Sequence, residues 1–162
     1  MKIQRVDSLN YPSLENKLSF SGLDSWMKVA NDIYGYEIYR YEVTEDSQPL
    51  AAVSLVEVKH PVFGHYLVTS PFASYGGFVY ETETARDLLL DEVSRLAERL
   101  KVEYAAIRFD EGESTPPGNW IQQPSYYTYL VDLTPGAEAV LKTFSSDHRN
   151  HVRKSLKKGF SI

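Results

Sequence analysis

Residues 70–109, SPFASYGGFVYETETARDLLLDEVSRLAERLKVEYAAIRF, decide the fold. Between residues 82 and 100, Ala85, Leu88, Leu89, Val93, Leu96, Ala97 and Leu100 recur every three to four positions, which is one apolar stripe along a helix. Thr82 or Thr84 supplies an N-cap, and Glu81, Glu83 and Asp87 suit the positive end of the helix dipole. Directly after it, residues 103–109 (EYAAIRF) read as a strand. Ahead of it, residues 70–80 (SPFASYGGFVY) form a loop rich in glycine and aromatic side chains. Strand, long helix, strand is a crossover, so the flanking strands are expected to run parallel with a right-handed connection.

Working outward toward the N-terminus, residues 65–69, 50–58 and 36–44 read as three strands. His60-Pro61-Val62-Phe63-Gly64 and Glu45-Asp46-Ser47-Gln48-Pro49 supply turn chemistry between them, which predicts an antiparallel meander. The run Leu50, Ala51, Ala52, Val53 predicts burial on both faces at the start of its strand. Residues 24–34 predict a helix with Trp26, Val29, Ala30 and Ile33 on its apolar side and Gly35 as its stop. Toward the C-terminus come an acidic, proline-bearing loop (110–118), a strand at 126–133 (YYTYLVDL), a short helix at 135–144 and a basic helix from Ser146-Asp147. Phe160-Ser161-Ile162 read as the opening of a strand whose continuation is missing, so the end looks cut. The expected architecture is a mixed α/β fold: a mostly antiparallel sheet with helices on both faces, one domain over residues 1–146, and a second beginning within 147–162.

The chain has 162 residues, 43% hydrophobic and 24% charged, which suits one well-cored domain and excludes a disordered chain. Cysteine is absent, which removes disulfides, thiolate metal sites and a Cys nucleophile. The first residues contain no apolar signal core, and no apolar run approaches a membrane span, so a soluble cytoplasmic protein is the expectation. Charge is unevenly placed. The whole chain carries −5, while residues 147–162 carry +4 from Arg149, Arg153, Lys154, Lys157 and Lys158 against Asp147, leaving −9 on residues 1–146. A body of that sign repels polyanions, so an anionic partner is expected at the basic helix.

The order of elements, meander, glycine-bearing loop, long helix, parallel strand and further strand, resembles GNAT-type acyltransferases. Two segments sharpen this: S-P-F-x-x-Y-G-G at residues 70–77 and R-N-x-x-R-K-x-x-K-K-G at residues 149–159. With Trp26, Leu67-Val68-Thr69 and Ala105-Ala106-Ile107-Arg108, they make the chain similar to the Fem (FemAB-like) family, whose members transfer amino acids from aminoacyl-tRNA onto peptidoglycan precursors. The resemblance runs from about Trp26 onward and covers the first of the two GNAT-like domains such proteins carry. It implies aminoacyl-tRNA as donor, a cell-envelope precursor as acceptor, tRNA and a C-terminal GNAT-like domain as partners, and no cofactor; this chain alone would be inactive. The acyl-CoA signature, Gln or Arg followed by x-x-G-x-G/A, is missing from the loop before the long helix. A stand-alone acyl-CoA acetyltransferase and a non-catalytic interaction module remain the alternatives, and a free edge at the chain end offers a route to a homodimer.

Aminoacyl transfer to an amine needs alignment of the amine with an activated ester and stabilisation of the oxyanion, not a covalent enzyme intermediate. No Ser-His-Asp or Cys-His arrangement is recognisable, so no catalytic base is assigned. The candidate substrate-binding residues are Ser70, Pro71, Phe72, Ser74, Tyr75, Gly76, Gly77 and Arg108 around the loop, and Arg149, Arg153, Lys154 and Lys157 on the basic helix. Gly76 and Gly77 allow backbone amides to face a ligand near a helix positive end, or else form a tight turn with Phe72, Tyr75 and Tyr80 in the core. The cations line one half of a helix about 18 Å long, either a phosphate-binding face or a solvated one. His148 and His151, one turn apart, lack a third metal ligand.

Overall fold

A computed structural model of the chain describes residues 1–9, 20–109, 116–123 and 130–159. It divides into two units, Met1–Gln122 and Gln123–Ile162. In the first, β1 (Lys2–Arg5) is followed by a 3-10 turn (Phe20–Gly22) and α1 (Asp24–Tyr34). The meander β2 (Glu37–Glu45), β3 (Gln48–His60) and β4 (Gly64–Val68) comes next, then β5 (Phe78–Tyr80), α2 (Glu83–Leu100) and β6 (Tyr104–Ala106). The second unit contains α3 (Ala137–Thr143) and α4 (Ser146–Lys157).

The sheet order is β1-β2-β3-β4-β6, with β5 also paired to β3. Every pairing is antiparallel except β4 with β6, which is parallel as the crossover requires. The expected mixed α/β class with helices on both faces is what the molecule has. Val53, Leu55, Leu67 and Tyr41 point to one face and pack against Ala85, Leu89, Leu90, Val93 and Leu96 of α2. Val56, Val58 and Val68 point to the other and pack against Met27 and Ala30 of α1. From Ala51 to Val58 every residue of β3 is buried, so this strand is central in both directions. Burying each such aliphatic side chain contributes roughly 1.5–3 kcal/mol.

Local rules explain most boundaries. The Thr82 hydroxyl accepts the Ala85 N–H at 3.2 Å and caps α2. Gly35, at φ 68°, ends α1 with its N–H on the Asn31 carbonyl at 2.8 Å. Asp46 and Ser47 both have positive φ, the signature of a two-residue primed hairpin turn. That turn lets β3 begin at Gln48, ahead of the residue 50 start expected from sequence. Pro49 is tolerated there because the register shifts between Val43 and Thr44, a bulge beside the missing N–H.

Four sequence expectations are corrected. Residues 78–80, expected as loop, form β5, because a three-residue strand is too short to show alternation. The apolar stripe of α1 is split: Met27 and Ala30 are buried, whereas Val29 is 38% and Ile33 68% exposed. A stripe wider than its partner surface leaves one edge in solvent. Phe72, expected in the core under the tight-turn reading, is 58% exposed, and Phe78 packs there instead. Of the strand expected at 126–133, residues 126–129 lie outside the described residues. Residues 130–133 are irregular, with Leu130, Val131 and Leu133 exposed, since strand propensity without a hydrogen-bonding neighbour does not make a strand. The acidic run 110–115 and the expected strand opening at 160–162 also lie outside the described residues.

Candidate functional site

The candidate loop sits where β3 changes partners along one edge. Its C-terminal half, Val56–His60, pairs with β4, and Ala51–Val53 pairs with β5. Between the two, the Ser54 N–H donates to the Gly77 carbonyl at 2.8 Å. The chain from Thr69 to Gly77 runs between the end of β4 and the start of β5 at this changeover. Gly77, at φ 79°, is required here: a Cβ would come within 3.2 Å of Thr69 Cβ and 3.3 Å of the Ser54 carbonyl.

The end of β6 and the residues after it hold the loop. Thr69 N–H donates to the Ala106 carbonyl (3.1 Å) and Gly76 N–H to the Arg108 carbonyl (2.9 Å). The Arg108 N–H donates to Thr69 Oγ1 (2.9 Å), and its guanidinium to the Ala73 carbonyl (2.7 Å). From the other side, Trp26 Nε1 donates to the Pro71 carbonyl at 3.1 Å. Ser21 Oγ lies 3.0 Å from Ser70 Oγ and donates to the Tyr75 carbonyl. Ser70 (φ 50°) and Phe72 (φ 63°) are held in left-handed backbone that non-glycine residues seldom adopt, a strain of about 1–3 kcal/mol each that the surrounding bonds must offset.

Ser70, Pro71, Gly76 and Gly77 are therefore buried structural members, Tyr75 is half-buried, and Phe72, Ser74 and Arg108 face solvent. The Gly76 N–H is already engaged, and β5 intervenes between Gly77 and α2. The first turn of α2 is capped by Thr82, and the buried Arg86 pairs with Asp87 at 2.8 Å. Of the two readings of the glycines, the tight turn accounts for the Gly76 bond to Arg108 and for the close approach of Gly77 to Thr69 and Ser54. Arg108 meets a backbone carbonyl, and no carboxylate among the described residues pairs with it.

Sequence reasoning named Ser70 but missed three further buried hydroxyls beneath the loop, Ser21, Ser54 and Thr69. Ser54 Oγ is fully buried with no hydrogen-bond partner among the described residues. Only the polar Ser54 within an otherwise apolar strand run hinted at this cluster.

At the opposite end of β4, three adjacent strands meet in a polar group. Glu57 is buried and receives the Tyr39 hydroxyl at 3.0 Å; its other oxygen lies 2.6 Å from His65 Nε2. Burial alone would raise the Glu57 pKa, but the bonds from His65 and Tyr39 and the Lys59 charge outweigh it and lower the value. Burial and the neighbouring carboxylate raise the Tyr39 phenol. A solvent-open depression lined by Lys2, Gln4, Glu42 and Asp46 lies at the β1 edge, away from every sequence-derived candidate.

In the second unit, Ser145 caps α4 by accepting the His148 N–H, and no residue of α4 is buried. Arg149 donates to the Lys142 and Phe144 carbonyls, bracing the end of α3. Arg153, Lys154 and Lys157 are exposed. Among the described residues, no three His, Asp or Glu side chains gather to hold a metal, and no helix is long and apolar enough to cross a membrane.

No family model matches the chain, and no curated protein matches it. Among solved structures, it is similar to a GNAT family acetyltransferase from Staphylococcus aureus subsp. aureus USA300_TCH1516. The identity is 14% and the TM-score 0.43, over 81% of this chain and 100% of that one.

Proposed function

We propose that the chain is the N-terminal half of an enzyme transferring an acyl or aminoacyl group to an amine, with a cell-envelope precursor as acceptor and aminoacyl-tRNA as donor. The observation that carries the reading is the change of partner along β3. Val56–His60 pairs with β4 and Ala51–Val53 with β5, and the braced loop between them presents Phe72 and Ser74, with Arg108 bonded to it. A braced rim of this kind supports holding a reacting amine without a covalent intermediate, and the exposed Arg108 guanidinium supplies a cation for negative charge developing on a carbonyl oxygen. The cations of α4, set against an acidic body, supply the phosphate contacts that a tRNA donor demands. The sequence similarity of residues 70–77 and 149–159 to the Fem pattern supports the donor and acceptor classes.

A stand-alone acyl-CoA acetyltransferase is the second reading: the order of elements supports it equally, while the Gln/Arg-x-x-G-x-G/A signature is missing ahead of α2. The test compares bulk tRNA and coenzyme A on the full chain. Retention of tRNA that falls steeply with salt and is lost in Arg153→Gln/Lys157→Gln is expected, with no thermal shift from coenzyme A. Thermal protection by coenzyme A without tRNA retention would transfer the reading to an acyl-CoA enzyme. Binding of neither would leave the interaction module as the better account.

A further inference from the structure

One face of β4 and β6 carries a set of rings that the transfer reading leaves unused. Tyr66 and Tyr104 are neighbours in the parallel ladder, stacked at 4.9 Å with planes 6° apart. Tyr34, at the end of α1, stacks on Tyr36 at 5.6 Å and meets Phe72 of the loop at 4.9 Å. Tyr36 and Tyr66 join the two groups, both packing against the buried cluster of Met27, Ala30, Val56, Val58 and Val68; burial, then Tyr104 and Tyr36, raise the Tyr66 phenol, with Arg108 pulling the other way. Tyr34, Phe72 and Tyr104 are 54%, 58% and 51% exposed, a high value for large rings packed so closely together.

The polar atoms of the patch have a common character. None of the phenol oxygens of Tyr34, Tyr36, Tyr66 and Tyr104 hydrogen-bonds to a described residue. Arg108 uses one N–H on the Ala73 carbonyl and pairs with no described carboxylate. Guanidinium N–H groups only donate, and neutral phenols supply further donors, so the matching ligand bears acceptors and negative charge. The open ring surfaces match a flat apolar body. The acidic surroundings disfavour a polyanion but admit a small ligand whose single anionic group reaches Arg108.

We propose that this patch is a binding site for a small anion carried on a flat ring, an aryl carboxylate or aryl phosphate, with the ring against Phe72, Tyr34 and Tyr104 and the anion on Arg108 and the phenols. The site shares Phe72 and Arg108 with the transfer reading but requires no donor and no transfer, so the two can fail separately: tRNA retention depends on α4, and ring–anion binding does not.

The full chain is titrated with benzoate, phenyl phosphate, inorganic phosphate and benzyl alcohol. Trp26 fluorescence reports from beside the loop, and amide chemical shifts map the site. Benzoate or phenyl phosphate is expected to saturate in the millimolar range, about tenfold tighter than inorganic phosphate or benzyl alcohol. The tighter of the two aryl anions identifies the headgroup. Arg108→Gln is expected to weaken binding about tenfold. Because Arg108 also clamps Ala73, Tyr104→Ser serves as a second variant that leaves the clamp intact; it should weaken binding about threefold with the thermal midpoint nearly unchanged. Failure of both aryl anions to saturate overturns the proposal, as does inorganic phosphate binding as tightly as phenyl phosphate. Unchanged affinity in Tyr104→Ser, or shifts mapping away from the patch, overturns it equally.

Discussion

Helices α2 and α4 are both amphipathic by sequence, and the protein treats them differently. In α2 the apolar stripe is buried from Ala85 to Leu96 against one face of the sheet, while α4 has Val152 37% and Leu156 62% exposed and buries nothing. Helix α1 stands between them, with Met27 and Ala30 covered and Val29 and Ile33 open. Periodicity states which side of a helix seeks cover. It does not state that cover exists, because that depends on a partner surface contributed from elsewhere in the chain.

Substitutions probe that contrast, from the largest expected effect downward. Leu89→Ala should cost about 2–5 kcal/mol in urea unfolding, whereas Leu156→Ala on α4 should stay within about 0.5 kcal/mol. Equal costs would mean that α4 packs as tightly as α2. Glu57→Gln tests the polar group bridging β2, β3 and β4, with an expected loss of roughly 1.5–3 kcal/mol at neutral pH. The sign follows from its lowered pKa: the carboxylate contributes stability above its unfolded value near 4.5, and that contribution disappears as pH falls through the lower folded value. Wild-type stability should therefore drop more steeply than that of the Gln variant below pH about 4.5; parallel curves would remove the group from the stability account. Thr82→Ala should lower stability by about 1 kcal/mol through the lost cap, and Thr82→Ser should restore most of it. At the small end, Arg153→Gln should change unfolding by less than about 0.5 kcal/mol yet reduce the salt slope of tRNA retention by about one. A stability loss larger than the binding effect would make α4 a structural helix.

Features set by neighbouring residues were legible in the sequence. The limits of α1 with its Gly35 stop, α2 with its Thr82 cap, the three-strand meander and the parallel crossover all follow from short-range periodicity and turn chemistry. What distant segments decide was not. β5 exists because its three residues find Ala51–Val53, and nothing within Phe78-Val79-Tyr80 announces that partner. The loop motif stands where β3 changes partners, and its glycines close a turn there, Gly76 on the Arg108 carbonyl and Gly77 on Ser54. The buried Ser21–Ser70 contact spans 49 positions, and Tyr66 meets Tyr104 only because β4 and β6 share a register. Single tyrosines in strands read as packing residues; their convergence on one edge with Arg108 is a property of topology.

The exchange of partners along β3 has a mechanical outcome. Residues 69–77 are fastened at one end to Ala106 of β6 and to Arg108 and at the other to Ser54 of β3, so they cannot swing as a lid without rupturing bonds to the sheet. Whatever visits Phe72, Ser74 and Arg108 finds a surface already in its working shape. Amide exchange at Ser54 and Gly76 should accordingly be among the slowest in the chain, set by opening of the whole sheet instead of by motion of the loop.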